Sequence, residues 1–371
     1  MVDLQRQYSR IKDEVDEAIS EVIKSTAFIN GPAVKRFQEN FEKYLNVKHV
    51  IPCGNGTDAI QIALMSLGLK EGDEIITTSF TFVATVEVIE LLKLKPVMVD
   101  VDEYTCNISA EAIEKAITSK TKAIIPVHLF GQCAEMEKIM QIAKKCNLYV
   151  VEDNCQSIGS DYIFSDGKKM KSGTIGDIGC TSFFPSKNLG CYGDGGAIFT
   201  NNDKLAALIR SIANHGMTVR YYHDHIGVNS RLDSIQSAIL DIKLKHLDDY
   251  AKRRNQAATV YDNYFKDNPK IKIPARASFS THVFHQYTLV ANNFDRNELI
   301  DYLKTRNIPA MIYYPVPLHL QKAYAHLGYK EGDLPITEKL CHSVFSLPMH
   351  TELQKEELDY ICNSILEFVN R

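Results

Sequence analysis

Lys187 has the surroundings that most invite chemistry. It sits in the stretch 177–196, DIGCTSFFPSKNLGCYGDGG, where a short apolar strand (IGCTSFF) meets a proline and delivers one lysine into a loop. Four glycines follow before a strand resumes at AIFT. Glycine lets a backbone approach a ligand closely and adopt positive φ. Burying a lysine disfavours its charged form and leaves a usable amine nucleophile. The combination suggests a lysine that forms a Schiff base. Taken alone, the plainer reading is a surface lysine in a flexible loop, one of 42 basic residues.

Four further signals shift that balance. GNGTDAI, Gly54 to Ile60, follows an apolar strand and opens a helix, so Gly56 and Thr57 offer free N–H groups and a favourable dipole to a phosphate. Thr57 or Asp58 as an ordinary helix cap is the competing reading. The string also matches G-x-G-x-x-A, a weak dinucleotide fingerprint. That site wants an acid at the end of the next strand, and EIITTS carries its acid at the other end. In VVEDNCQS, Asp153 stands at the carboxyl end of a buried strand, with Gln156 three residues on. A buried carboxylate needs a partner, and a protonated pyridine nitrogen would serve; a turn-capping Asp is the alternative. Ser182, five residues before Lys187, can donate to a phosphate. Phe82, in TSFTFVAT, stands where a ring can stack on a planar cofactor, or is simply core. Phosphate cradle, stacking ring, carboxylate, hydroxyl and lysine, all at strand ends, make the set that marks a pyridoxal phosphate (PLP) site.

The elements that must position these residues follow from periodicity. Ile11, Val15, Ile19, Val22 and Ile23 have helical spacing, and so do Val34, Phe37, Phe41 and Leu45 after the break INGP. Strand and helix then alternate: HVIPC, EIITTS, KPVMVDV, KAIIPVH and LYVVED are apolar runs, each but the last followed by a helical segment. Continuous rather than alternating apolar strands predict an α/β layered sheet, mostly parallel, covered on both faces. Ligands bind such sheets at the carboxyl ends of the strands. Residues 160–176 read as an exposed hairpin. SRLDSIQSAILDIKLKHLDDYAKRRNQAATVYDNYF, 230–265, reads as one long helix leading to a second domain, so the expected division is 1–247 and 248–371. In the second part, HVFHQYTLVA and AMIYYPVP are strand candidates, and RNELIDYLKTRN and ELQKEELDYICNSILEFVN are helices.

Composition excludes several classes. A net charge of -4 and a pI near 6.3 leave no electrostatic footprint for nucleic acid or an anionic membrane. The first residues lack the apolar core of a signal peptide, and no run of about 18 apolar residues occurs, which predicts a cytoplasmic enzyme. Nine cysteines, an odd number without C-x-x-C, read as reduced core-filling thiols. Metal-ligand spacing is absent, and His223 and His225 read as an exposed loop pair.

GNGTDAI, PVHLFGQ, VEDNCQS, TSFFPSKNLGCYGDGG and GVNSRLDSIQSAIL together resemble the DegT/DnrJ/StrS sugar aminotransferases, PLP enzymes of fold type I. The likeness runs from VDLQRQY to YYPVPLHLQ. It implies a large domain with a mostly parallel seven-stranded sheet between helices and a smaller C-terminal α+β domain. It further implies that Lys187 forms the internal aldimine, Asp153 pairs with the ring nitrogen, Gln156 sits beside the ring hydroxyl and Phe82 stacks on the ring. Gly56, Thr57 and Ser182 would hold the phosphate. Asn229 would reach the phosphate of the neighbouring subunit's cofactor, which implies a homodimer with sites at the interface. His285, Tyr313 and His319 would line the nucleotide-sugar side. The implied reaction takes an amine from L-glutamate, holds it as the aminated cofactor (PMP), and delivers it to a keto sugar for amino-sugar and polysaccharide biosynthesis. Relatives with His in place of the lysine are dehydratases; Lys187 supports transamination. The loop reads GDGG where many relatives have GEGG, a conservative change. The Asn and Asp of GNGTDAI resemble members acting at carbon 3, which favours a nucleoside-diphosphate 3-keto-6-deoxyhexose over a 4-keto sugar or a 3-keto uronate. An NAD-linked oxidoreductase, resting on Gly54, Gly56 and Ala59, leaves Lys187 and Asp153 without roles. A non-catalytic PLP-binding regulator is not separated by motif, although the complete catalytic set argues against it.

Overall fold

The computed structural model of the protein describes residues 1–371. Its main sheet has seven strands: β1 (His49–Cys53), β2 (Glu74–Thr78), β3 (Lys95–Val99), β4 (Thr121–Ile125), β5 (Tyr149–Asp153), β6 (Ile178–Ser182) and β7 (Gly196–Thr200). They lie in the order β1-β7-β6-β5-β4-β2-β3. Only β7 runs against its neighbours; the remaining pairs are parallel. The expected mostly parallel seven-stranded sheet is therefore present.

Side chains that alternate along each strand pack on both faces of the sheet. Ile75, Ala123, Ile125 and Val151 join one cluster with α3 (Gly56–Met65), α4 (Ala84–Leu91) and α7 (Asp203–Ala213). Ile76, Ile124 and Val150 face the other way, toward α5 (Ala110–Ala116) and α6 (Met136–Cys146). With both faces covered, the strands can be apolar throughout, as the sequence showed. On the second face, Phe37 and Phe41 of α2 (Pro32–Leu45) meet Phe183 and Phe199, with centroids 5.5–6.2 Å apart. Burying each such ring contributes about 2–3 kcal/mol, and Phe183 anchors the start of the Lys187 loop. Helix α1 (Leu4–Ser25) buries Ile11, Val15 and Val22 as expected, but Ile23 is 52% exposed. The hairpin expected over 160–176 is the antiparallel pair Asp161–Ile163 and Lys169–Lys171, but only its turn is exposed; Ser160, Tyr162, Ser172 and Thr174 are buried.

The single helix expected over 230–265 is two helices, α8 (Ser234–Leu244) and α9 (Leu247–Phe265). At the junction Lys245 and His246 donate to carbonyls three residues back, those of Ile242 and Lys243. That tight turn redirects the chain, and apolar periodicity does not report it. From α9 onward a second core gathers Tyr261, Phe265, Tyr287, Leu289 and Phe345. It is built on β8 (Ile271–Lys272), β9 (Tyr287–Ala291) and β10 (Val344–Leu347), covered by α10 (Arg296–Thr305) and α12 (Lys355–Val369). Helix α11 (Pro335–Ser343) leads into β10. AMIYYPVP is not a strand: only Met311 bridges to Ser346, because Pro315 and Pro317 have no N–H to give a ladder. No helix is long and apolar enough to cross a membrane.

Candidate active site

The carboxyl edge of the sheet opens into a cleft of about 760 Å³, within the range of small-molecule sites. Gly56 and Thr57 enter it from the start of α3. The helix cap is neither Thr57 nor Asp58 but Asn55, whose Oδ1 accepts the Asp58 N–H at 2.8 Å. Asn55 can cap because its backbone is extended, φ -167°, just before the first helical residue. Gly56 and Thr57, the first two helical residues, line the cleft, and amides at those positions have no intrahelical acceptor. A Cβ at Gly56 would lie 2.6 Å from Ser182 Cβ and 3.0 Å from Cys155 Sγ. Only glycine brings the helix start this close to Ser182, so two amides and a hydroxyl converge.

Asp153 closes β5 and is 5% exposed. Its Oδ2 accepts from the Thr85 hydroxyl at 2.7 Å and its Oδ1 from the Cys155 N–H at 3.1 Å. Sequence reasoning missed Thr85, although it stands three residues after Phe82, at one-turn spacing. Lys187 lines the same cleft from the β6–β7 loop. Burial lowers its pKa, while Cys155 and Asp153 act in the opposite sense. Phe82 is not core: its ring is 56% exposed, in the cleft, 6.5 Å from that of Tyr314. The Oε1 of Gln156 accepts the Phe130 N–H at 2.9 Å, and its Nε2 therefore points away and donates to Tyr314 Oη at 3.1 Å. Which of the two tyrosines, 313 or 314, would meet Gln156 had no signal in YYPVP.

The substrate-side expectations divide. His285 and Tyr313 line the cleft. His285 is 6% exposed with its Nδ1 unpartnered, and burial, then Lys187 and Arg254, hold its imidazole well below the usual range. His319 does not line the cleft. Its side chain has no exposed surface; Nδ1 contacts Ser79 Oγ at 2.8 Å and Nε2 contacts Glu338 Oε1 at 3.1 Å. The expectation that it touches substrate is corrected to an internal tie between the segment after β2 and α11. Asn229 is exposed and outside the cleft. Its neighbour Ser230 accepts the Gly54 N–H and donates to Asp58 Oδ2. Thr81, whose buried hydroxyl has no partner, and Asp194 also line the cleft and were not singled out.

These groups fit pyridoxal phosphate. Free amides and Ser182 suit its phosphate, Asp153 its ring nitrogen, Phe82 its face and Lys187 its aldehyde. The unpartnered atoms of Thr81 and His285 show that the cleft has polar groups to spare for a ligand.

Comparison with known proteins covers nearly the whole chain. The family model described as the DegT/DnrJ/EryC1/StrS aminotransferase family matches residues 9–366. A pleiotropic regulatory protein of Geobacillus stearothermophilus is 47% identical over 370 residues, 99% of this chain and 98% of the relative. A UDP-2-acetamido-2-deoxy-3-oxo-D-glucuronate aminotransferase of Pseudomonas aeruginosa is 43% identical over 364 residues, 98% of each. Among solved structures, NtdA of Bacillus subtilis with bound cofactor PMP superposes with a TM-score of 0.89 at 31% identity, covering 97% of this chain and 82% of that one.

Proposed function

The chain belongs to the DegT/DnrJ/EryC1/StrS aminotransferase family, and from that premise we propose that it moves an amino group from L-glutamate to carbon 3 of a nucleoside-diphosphate-linked 3-keto sugar. It is a PLP-dependent aminotransferase. The observation that carries the reading is one cleft in which a desolvated Lys187 amine, the Asp153 carboxylate and the open end of α3 face one another.

When bound, the cofactor supplies an aldehyde that takes up amines and a ring that withdraws electrons. Gly56, Thr57 and Ser182 would hold its phosphate. Asp153, fixed by Thr85, would keep the ring nitrogen protonated. Gln156, oriented by the Phe130 amide, would face the ring hydroxyl, and Phe82 would cover the ring and exclude water. Burial disfavours the charged form of Lys187, which suits its Nζ to take the proton from the donor's α-carbon and pass it to the cofactor carbon that bears the amine. One water is consumed when the donor leaves as its keto acid and one is released when the keto group of the sugar takes up the amine, after which Lys187 would move a proton in the opposite sense.

Residues 1–247 carry the cofactor in this reading, and 248–371 bring His285 and Tyr313 across the cleft. The active unit is a homodimer in the cytoplasm, in which Asn229 reaches the neighbour's cofactor phosphate. Its exposure outside its own cleft supports this, as do Val219, Tyr221, Tyr222 and Ile226, 63–89% exposed just before it. Lys187 is the only lysine or arginine lining the protomer's cleft, beside Asp58, Asp153 and Asp194. A sugar carboxylate finds no cation there from the same chain, which favours a 6-deoxyhexose. The name of the Pseudomonas aeruginosa relative favours a second reading, a 3-keto uronate.

The test is the visible absorption of the PLP-loaded protein. L-Glutamate should bleach the band of the Lys187-linked cofactor, and an NDP-3-keto-6-deoxyhexose should restore it faster than the uronate. No band after loading overturns the cofactor site; a band indifferent to glutamate overturns the donor and favours a regulator. Faster recovery with the uronate reverses the order of the two sugars.

A further inference from the structure

Lys243, in the last turn of α8, is 1% exposed. No carboxylate lies within ion-pair distance of it; its Nζ donates to the Gly190 carbonyl at 2.5 Å and sits 4.9 Å from the centre of the Tyr192 ring. The flanking residues Leu240 and Leu244 belong to an apolar cluster with Leu189 and Cys191. Leucine or methionine would fill such a slot without desolvating a charge, a replacement that is often neutral or stabilising. A cation kept there has work to do at the carbonyl it meets, where a charge-assisted bond is about twice as strong as a neutral one.

That carbonyl closes the loop that bears Lys187. The Lys187 N–H donates to the Phe184 carbonyl at 2.8 Å. Gly190 packs back onto the same turn: a Cβ there would lie 2.4 Å from the Pro185 carbonyl oxygen and 2.8 Å from that of Phe184. Two residues on, α8 grips the loop again, since Gln236 Oε1 accepts the Tyr192 N–H at 2.8 Å and its Nε2 donates to the Tyr192 carbonyl at 3.3 Å. Gln236 and Lys243 are seven residues apart, two helical turns on one face. On the other side of the loop, Asn188 Nδ2 donates to the Val283 carbonyl at 3.0 Å, two residues before His285. The segment 184–192 is thus held on one side by α8 and on the other by the Val283 carbonyl.

The geometry points to Lys243 as a positioning residue for the reaction: with Gln236 it makes α8 a splint that fixes where the Lys187 amine stands in the cleft. Burial lowers the Lys243 ammonium to about 8, while Cys191 acts in the opposite sense. The inference rests on Lys187 being the cofactor-linking lysine.

The test compares Lys243→Met and Lys243→Arg with the parent as PLP-loaded full-length protein. Lys243→Met should still take up PLP through Lys187. The pH midpoint of the linkage absorbance should be displaced, and kcat should fall about 10- to 100-fold with the KM for glutamate unchanged, as for a reacting group misplaced by about an ångström. Lys243→Arg, which keeps a cationic donor, should recover most of both. An Lys243→Met protein with the parental midpoint and kcat overturns the proposal. So does a loss of folding stability in both variants with neither midpoint moved. If Lys243→Met does not fold, Lys243→Gln, a neutral donor on a shorter stem, is the substitute; a displaced midpoint supports the splint, and a parental one overturns it. Absence of the band in the parent itself overturns the reading of Lys187 instead.

Discussion

On the sheet side of the cleft, the inward-facing side chains of Asp153 and Gln156 are each held by two partners, Thr85 and the Cys155 amide for one, the Phe130 amide and Tyr314 for the other. On the side contributed by the second core, His285 has an unpartnered Nδ1 and Tyr313 stands in a stretch that pairs only through Met311. The first wall is built on strand ends and a helix start, the second on loops. Preorganised groups stabilise a reacting centre because they need not reorient when charge develops, whereas unpartnered groups on loops are suited to meeting a variable ligand. The contrast assigns the chemistry to the first wall and the choice of sugar to the second.

Substitutions on the sheet side should therefore reduce turnover most, and with little effect on the fold. Lys187→Ala removes both the cofactor linkage and the proton carrier. Multiple-turnover transamination should fall by about 10⁴-fold or more, with the melting temperature close to the parent's; retained turnover would place the chemistry elsewhere. Asp153→Asn keeps the shape and hydrogen-bonding reach of the side chain but not the charge. Glutamate-dependent bleaching should slow by about 10²- to 10³-fold, and a rate near the parent's would remove Asp153 from the ring nitrogen.

The same contrast separates what the sequence discloses from what it hides. Asp153 and Ser182 were legible because short apolar runs end at them, and a strand's end is a known place in an α/β sheet. Lys187 followed from the glycines and the strands on either side. Thr85 was missed although its spacing from Phe82 was on view, since a threonine inside a helix gives no sign that its hydroxyl serves a carboxylate 68 positions away. The break at Lys245–His246 was hidden because apolar residues continue in helical period across it. His319 misled for a different reason: a resemblance transfers a residue's neighbours in sequence, while its burial between Ser79 and Glu338 depends on α11, which periodicity did not reveal.

Acid should loosen the second core. His282 and His350 are held at about 3 and about 4, each chiefly by burial, and the unfolded imidazole titrates near 6.5, roughly the model-peptide value. The unfolded chain takes up protons that the folded chain refuses, so stability is full above about 6.5 and is lost as the pH falls toward the folded values. Between pH 7 and pH 5 the melting temperature should fall by about 2–4 °C. A His282→Asn protein, which keeps an acceptor for the Phe284 N–H, should lose less over that interval. An equal loss in both would assign the acid sensitivity to other groups.

The smallest effect on catalysis is expected at His319, and there the comparison is sharpest. A residue that touched the sugar would raise KM or lower kcat when replaced, at little expense to folding. One that ties the segment after β2 to α11 would do the reverse. His319→Phe removes the imidazole from the Ser79 hydroxyl, which keeps only the backbone N–H of residue 319, and from Glu338 Oε1, which keeps only the Gly332 and Leu334 amides. The expected loss is about 1–3 kcal/mol in urea unfolding, with kcat and both KM values within about twofold of the parent, because surface contacts and cofactor groups are untouched. A raised sugar KM with parental stability would return His319 to the substrate wall. It would also mean that the loop following Tyr314 swings inward when the nucleotide sugar binds, so that the second wall is shaped by its ligand while the first is fixed before it arrives.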